Sequence, residues 1–314
     1  MKQIRIGKLN IRLKYKFKFS KIISTGSYLP EKIYTNYDIE KLVDTSHDWI
    51  IERTGIISRH IANDKESSVD MAYEASSRAL KNCGLKSNEI DLILVATTTP
   101  ERKFPSTAVL LQNLLDNNNA SAFDVNAACT GFIYALDIAE KYIKGGFAKN
   151  VLVVGTEKIT SLLDWTDRNT CVLFGDGAGA VVLTASDKPG IISNTIGSDG
   201  SYKDLLTVNT DTEVIEMKGN DVFKVAVNTM GNLAKSTLDN SEYKVEDIDW
   251  LIPHQANQRI INAVSNKVKI PQDKIISTIS NHGNTSAASI PLALDVATKK
   301  GDIKNGDILA LQAI

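Results

Sequence analysis

Apolar and polar positions alternate strictly from Ile11 to Phe19. Ile11, Leu13, Tyr15, Phe17 and Phe19 interleave with Arg12, Lys14, Lys16 and Lys18. A period of two predicts a strand with one basic face. Further along, Ala122 to Val125 is a short apolar run that predicts a strand, and Phe132 to Ala139 carries apolar residues at helical spacing. Between them lies Asn126-Ala127-Ala128-Cys129-Thr130-Gly131. A cysteine at that corner sits near a helix N-terminus, whose partial positive charge favours the thiolate, the nucleophilic form. The same corner equally suits a small buried residue without chemistry, since free cysteine packs as a core side chain.

The pattern repeats. Glu89 to Val95 matches Asp247 to Ile252, each a buried-type strand after a helical segment. Each leads to a helix, Thr107 to Leu114 in one half and Gln258 to Val264 in the other. Another strand, a small-residue turn and a helix are expected next in both. The first turn carries Cys129, 39 residues after Ile90; the second carries Asn284, 36 residues after Ile248. The strands Asn150 to Gly155 and Gly306 to Leu311 also match. The offset, near 158 residues, is too long for a solenoid and reads as one duplicated α/β unit. Alternating strands and helices imply sheets layered with helices. Equivalent corners of two such units converge where the units meet, so Cys129 and Asn284 are expected to approach each other.

Composition narrows the class of protein. The 314 residues are 43% hydrophobic and 23% charged, with a net charge of -1. That is globular composition with no global field for nucleic acid. At this length about three quarters of the unfolded surface can be buried. Three cysteines, Cys83, Cys129 and Cys171, make no disulfide framework and fit a reducing compartment. Cys83, just before Gly84, and Cys171, in an apolar run, look structural. No apolar stretch is long enough to span a bilayer. Eight Lys or Arg and no acid fall within residues 1–21. With no continuous apolar core, this basic extension, residues 1–20, is not a secretory signal. It reads as an added edge strand or an upstream start without function before it reads as a membrane-surface or organelle-targeting arm.

Two polar groups stand in apolar or small-residue surroundings. His254, in Pro253-His254-Gln255-Ala256-Asn257, follows the apolar Leu251-Ile252. A histidine at a buried strand end serves as acid, base or hydrogen-bond donor, or simply as a satisfied core residue. Asn284, in Asn281-His282-Gly283-Asn284-Thr285-Ser286, is flanked by small residues that let a ligand approach, or serves as a turn or helix cap. Gly175-Asp176-Gly177-Ala178-Gly179 lacks the Lys-Ser/Thr of a phosphate loop and precedes a strand, so it reads as a tight turn. No cluster has metal-ligand spacing.

Taken together, the segments resemble the β-ketoacyl-ACP synthase III family of the thiolase-like superfamily, from about Lys21 to Ile314. The likeness rests on Ser24 to Pro30, Asp48-Trp49-Ile50, Arg53-Thr54-Gly55, Phe104-Pro105-Ser106, Ala127-Ala128-Cys129, Phe174 to Gly179, His254 to Asn257 and Gly283 to Ser289. It implies a five-layered α-β-α-β-α fold from two pseudo-symmetric halves, residues 21–185 and 186–314. It implies decarboxylative condensation of an acyl-CoA, expected to be acetyl-CoA, with malonyl-ACP, starting fatty-acid synthesis in the cytoplasm. The implied catalytic set is Cys129 as acyl acceptor with His254 and Asn284, a set shared with chalcone-synthase-like enzymes. No metal or permanently bound cofactor is implied. Trp49 and Arg168 match residues that sandwich the CoA adenine, and Arg53 and Asn257 match other CoA contacts. Gln255, Ala256, Asn257, Gln258, Arg259, Lys224 and Lys267 are expected on the face that docks the acidic acyl carrier protein. Phe104 matches a residue that reaches the acyl pocket across a homodimer interface. No nucleic-acid or membrane partner is implied.

The chain departs from the family pattern in its basic extension and at its other end. Relatives continue past Ile314 with a glycine-rich loop and a strand that supply a second oxyanion donor, and the repeat likewise finds no second-half counterpart of Phe174 to Leu183. Losing one such donor costs on the order of 10²–10³ in rate. The sequence therefore carries the expectation of weak or no activity unless that end is supplied. It leaves two alternatives: a condensing enzyme for another acyl primer, and an inactive acyl-CoA-binding or scaffold protein.

Overall fold

The computed structural model describes residues 17–209 and 211–314. The alternating segment from Ile11 lies outside them as far as Lys16; Phe17, the first described residue, packs against the largest core cluster. The strands are β1 (Phe19–Tyr28), β2 (Ile33–Thr35), β3 (Ser58–His60), β4 (Leu92–Ala96), β5 (Ser121–Val125), β6 (Asn150–Glu157) and β7 (Gly177–Ser186) in the first half. The second half holds β8 (Leu206–Val208), β9 (Ile215–Met217), β10 (Trp250–Pro253) and β11 (Leu309–Gln312). The main sheet has the order β1-β7-β6-β4-β5. Its β4, β5 and β6 run parallel, while β7 is antiparallel to both β6 and β1. A second, parallel sheet pairs β10 with β11, and the short pairs β2–β3 and β8–β9 stand apart.

Every residue of β4 is apolar and buried, the pattern of a strand covered on both faces. Period-two geometry splits it. Leu92 and Leu94 face a cluster containing Phe132 and Leu136 of helix Gly131–Lys144 and Ile290 and Leu294 of helix Ser289–Lys300. Ile93 and Val95 face Met71, Ala75 and Ala79 of helix Ser68–Cys83 and Leu111 of helix Thr107–Leu114. Ile252 of β10 joins the first cluster from the far side, whereas Leu251 packs outward with Leu238 and Val268. Those two residues belong to helices Gly219–Asp239 and Gln258–Val268. The layers therefore run helix, sheet, helix, sheet, helix. Helix Ser289–Lys300 lies in the middle and buries residues on all its sides, including Ile290, Leu292, Leu294 and Asp295, as a helix between two sheets must.

Local departures from the pattern have physical causes. The first strand of each repeat begins late, because Ser87–Glu89 and Val245–Asp247 close 3₁₀ turns before the chain extends. The strand expected next in the second half is a single bridge, Leu251 to Ile275. Asp273 and Lys274 belong to another 3₁₀ turn that ends at that point. Gly84 takes a left-handed φ of +71° after Cys83 and stops the helix there.

Candidate active site

Two corners of the duplicated unit meet in the middle layer. A 3₁₀ turn, Ala128–Thr130, leads into helix Gly131–Lys144, and a second, Ser286–Ala288, leads into helix Ser289–Lys300. The same 158-residue offset separates Ala128 from Ser286 and Gly131 from Ser289. The positional counterpart of Asn284 is Asn126, and that of Cys129 is Ala287. The approach of β6 depends on glycine: a Cβ on Gly155 would lie 2.3 Å from the Ala287 carbonyl oxygen. Glu157, two residues on, is thereby carried up to the second turn.

Cys129 is partly buried, and its thiol donates to Ser286 Oγ at 3.7 Å. Ser286 Oγ donates in turn to Glu157 Oε1 at 3.2 Å. Burial pushes the thiol up to about 11; the Ser286 bond opposes the rise and the charge of Glu157 adds to it. A rise from 9.0 to about 11 corresponds to about 3 kcal/mol. A helix N-terminus returns about 0.3–2 kcal/mol. The thiolate expected from the helix terminus is therefore not the resting form at neutral pH; desolvation outweighs the dipole, and attack needs a proton acceptor.

Asn284 is held at both backbone and side chain. Its N–H donates to the Leu173 carbonyl at 2.9 Å and its carbonyl accepts from Gly175 N–H at 3.1 Å. Gly175 permits this because a Cβ there would meet the His282 carbonyl oxygen at 2.5 Å. Asn284 Oδ1 accepts from Ser286 N–H at 2.9 Å, which leaves Nδ2 as the donor end of the amide. The glycine turn thus builds the site without touching phosphate. Asp176 inside it is buried, accepts from Ala62 N–H and from the N–H and hydroxyl of Thr160, and is raised to about 6 by burial.

His254 follows the last residue of β10, where its N–H donates to the Gln312 carbonyl. It is 3% exposed, and burial pushes its imidazole down to about 4, so it is neutral at pH 7. Ser289 Oγ lies 2.7 Å from His254 Nδ1 and accepts from Gln255 N–H at 3.3 Å. When the serine hydroxyl donates to Nδ1, the imidazole proton sits on Nε2 and His254 is a hydrogen-bond donor there. The turn Asn284 to Ser289 thus contacts or contains all three expected catalytic residues.

Trp49, Arg53, Arg168 and Asn257 also gather. Ser46 caps the helix carrying Trp49, and the Arg168 and Arg53 guanidinium carbons lie 4.8 and 6.0 Å from the Trp49 ring centre. Asn257 caps helix Gln258–Val268 and donates to the Arg53 carbonyl at 3.1 Å. An aromatic base between Trp49 and Arg168 needs about 7 Å, two van der Waals layers, so Arg168 must swing outward to admit one.

The residues expected to dock a carrier protein divide. Lys224, Arg259 and Lys267 are exposed on the two packed helices of the outer layer. Ala256, Asn257 and Gln258 are half-buried. Gln255 is corrected: it is 1% exposed, and its amide donates to the Pro253 and Ile276 carbonyls while accepting from Thr278 N–H and the Ser277 hydroxyl. Its side chain braces the His254 loop and presents nothing to a partner. Phe104 is 84% exposed and so fills no pocket of its own chain.

Sequence reasoning assigned no role to Ser286, Ser289 or Glu157. The serines stood inside the motif around Asn284. Glu157 ends the strand Asn150–Glu157, which is buried throughout, and that burial shows only in the fold.

A duplicated, five-layered α/β unit in which one turn ties together a cysteine, an asparagine and a buried histidine has the build of the thiolase-like class of acyl-transferring enzymes. The family model described as 3-Oxoacyl-[acyl-carrier-protein (ACP)] synthase III matches residues 123–200, and its C-terminal counterpart matches 238–314. Over 306 aligned residues the chain is 53% identical to the beta-ketoacyl-[acyl-carrier-protein] synthase III of Thioalkalivibrio sulfidiphilus, covering 94% of this chain and 95% of that one. The crystal structure of the Aquifex aeolicus 3-oxoacyl-[acyl-carrier-protein] synthase III superposes with a TM-score of 0.92 at 50% identity, covering 94% and 96% of the two chains. That of Pseudomonas aeruginosa gives 0.91 at 39% identity, covering 95% and 94%. The chain belongs to the β-ketoacyl-ACP synthase III family. It is an acyltransferase-type condensing enzyme of fatty-acid biosynthesis.

Proposed function

We propose that Cys129 takes the acyl group of an acyl-CoA, acetyl-CoA as primer, and passes it to malonyl-ACP as a 3-ketoacyl-ACP. The observation that carries this reading is the turn Asn284 to Ser289. One end directs the Asn284 amide through Ser286 N–H, its middle contacts the Cys129 thiol, and its last residue orients His254.

In the first half-reaction Cys129 Sγ attacks the thioester carbonyl and CoA leaves, which is covalent catalysis. In the second, malonyl-ACP loses carbon dioxide and negative charge develops on its thioester oxygen. His254 Nε2–H and Asn284 Nδ2–H are the two donors for that oxygen, and neutral donors in a dry site need no reorganisation as charge appears. The enolate carbon then attacks the acyl-Cys129 carbonyl and expels the thiolate. Trp49, Arg53, Arg168 and Asn257 serve the CoA nucleotide. Lys224, Arg259 and Lys267 serve an acidic carrier protein. Phe104, exposed on one protomer, serves the acyl pocket of a second in a homodimer. Among the described residues no helix is long and apolar enough to cross a membrane, and we place the enzyme in the cytoplasm.

The test is mass analysis of the carrier protein after incubation with acetyl-CoA and malonyl-ACP. Formation of 3-oxobutyryl-ACP by the unsubstituted chain and none by Cys129→Ala is expected. Equal product from both would refute the assignment.

A further inference from the structure

Among the described residues Glu157 is the buried carboxylate joined to Cys129 through Ser286, and neither half-reaction above uses it. It is 0% exposed. Its two oxygens accept from Thr98 N–H, from the hydroxyls of Thr97, Thr98 and Thr99, and from Ser286. An acceptor-only group surrounded by donors is suited to the ionised form. No lysine or arginine neutralises it in these contacts; burial raises it from its ordinary range, while the hydrogen bonds from Thr98, Thr99 and Ser286 oppose the rise and favour the ionised form that can accept a proton. The chain of atoms is continuous: Cys129 Sγ–H to Ser286 Oγ, 3.7 Å, and Ser286 Oγ–H to Glu157 Oε1, 3.2 Å. The backbone holds Ser286 at a left-handed φ of +49°, a conformation uncommon for serine.

We propose that Glu157, acting through Ser286, accepts the Cys129 proton during acylation and stores it for the lifetime of the acyl-enzyme. The inference rests on Cys129 being the nucleophile. As the Sγ–acyl bond forms, the S–H bond breaks and its proton passes to Ser286 Oγ. The hydroxyl proton of Ser286 passes to Glu157, and the electron pair of the broken thioester bond leaves on the CoA sulfur, which takes a proton from water. In condensation the tetrahedral adduct expels Cys129 as thiolate, and the stored proton returns by the same route. The cycle consumes one solvent proton, as the loss of a carboxylate as carbon dioxide requires. Glu157 touches no reacting atom and is a positioning residue; Ser286 is the group in contact with the sulfur.

The experiment measures single-turnover acylation of Cys129 by acetyl-CoA across a range of acetyl-CoA concentrations, in Glu157→Gln, Ser286→Ala and the double variant. The plateau rate falls about 10²-fold in each, half-saturation is unchanged, and the double variant is no slower than the slower single one. A purely electrostatic role predicts the opposite sign, because the charge of Glu157 raises the thiol and its removal speeds attack. Faster or unchanged acylation in Glu157→Gln, or losses that multiply in the double variant, would overturn the relay. If Glu157→Gln does not fold, Ser286→Ala decides alone, by slower or unchanged acylation. An unsubstituted chain that takes no acyl group at Cys129 would remove the nucleophile and the relay together, which separates that failure from failure of the relay alone.

Discussion

Ala128 and Ser286 share the left-handed backbone region, at φ +44° and +49°, one turn ahead of two helices that contribute to the same core cluster. They are counterparts in the duplicated unit, and their divergence divides the chemistry. The first turn presents Cys129 next to an inert alanine. The second puts a hydroxyl at the alanine's position, in contact with the Cys129 thiol.

Asn284→Asp separates the two half-reactions. An aspartate keeps the acceptor for Ser286 N–H, so the turn survives, but loses the Nδ2 donor and adds a negative charge where an enolate develops. Condensation should fall on the order of 10²–10³-fold while acylation of Cys129 continues. Comparing acyl-enzyme formation with 3-ketoacyl-ACP formation checks this; equal losses in both steps would contradict it.

Ser289→Ala removes the hydroxyl from His254 Nδ1. The imidazole loses the hydroxyl that orients its ring and that, by donating to Nδ1, holds the proton on Nε2. Condensation should slow by about 10–100-fold, the effect of losing a partner that orients a histidine, with thermal stability lowered by about 1 kcal/mol. Unchanged condensation kinetics would remove Ser289 from the account.

The three residues that gather at Trp49 make a prediction about binding alone. Aromatic stacking of a base contributes about 1–3 kcal/mol. Trp49→Ala should therefore raise the half-saturating acyl-CoA concentration by about 5- to 150-fold and leave the saturated acylation rate unchanged. Steady-state kinetics at varied acyl-CoA distinguish this from a loss of maximal rate, which would place Trp49 in a structural role.

Acid stability carries a further signature. Burial holds His254 and His282 near 4, with His60 and Lys300 also lowering His282. In the unfolded chain they return to about 6.5. The unfolded state then binds more protons between about pH 6.5 and 4, so their contribution to stability is lost as pH falls through that window. Asp176, raised from 3.8 to about 6, acts in the opposite sense, because its folded form holds a proton more tightly. His282→Gln should lose less stability than the unsubstituted chain between about pH 7 and pH 5, by about 2 kcal/mol at most. Urea unfolding at the two pH values measures it, and identical losses would contradict the buried, neutral His282.

Much of this was legible in the residues, and what was not had three-dimensional causes. The helices after Cys129 and Asn284 follow from apolar spacing, and the near-158 offset announced the duplicated unit before any strand was placed. That offset was misread in one detail. Cys129 and Asn284 are not counterparts but sit three positions apart in the aligned corners, and the counterpart of Ala128 is Ser286. Gln255 was expected on the docking face from the resemblance alone, yet the Pro253 and Ile276 carbonyls and Thr278 N–H draw its amide inward. The resting state of Cys129 was also hidden, since a helix terminus shows in sequence while the desolvation that opposes it arises only from packing. Glu157 was hidden for the same reason, because its five donors come from two distant segments, Thr97 to Thr99 and Ser286.

The most direct measurement is the intact mass of the chain after incubation with acetyl-CoA alone, with proteolytic mapping of the modified residue. The account predicts one acetyl group per chain, on Cys129, absent from Cys129→Ser and discharged when malonyl-ACP is added. A chain that gains no acetyl group, or gains it on a residue other than Cys129, would contradict it.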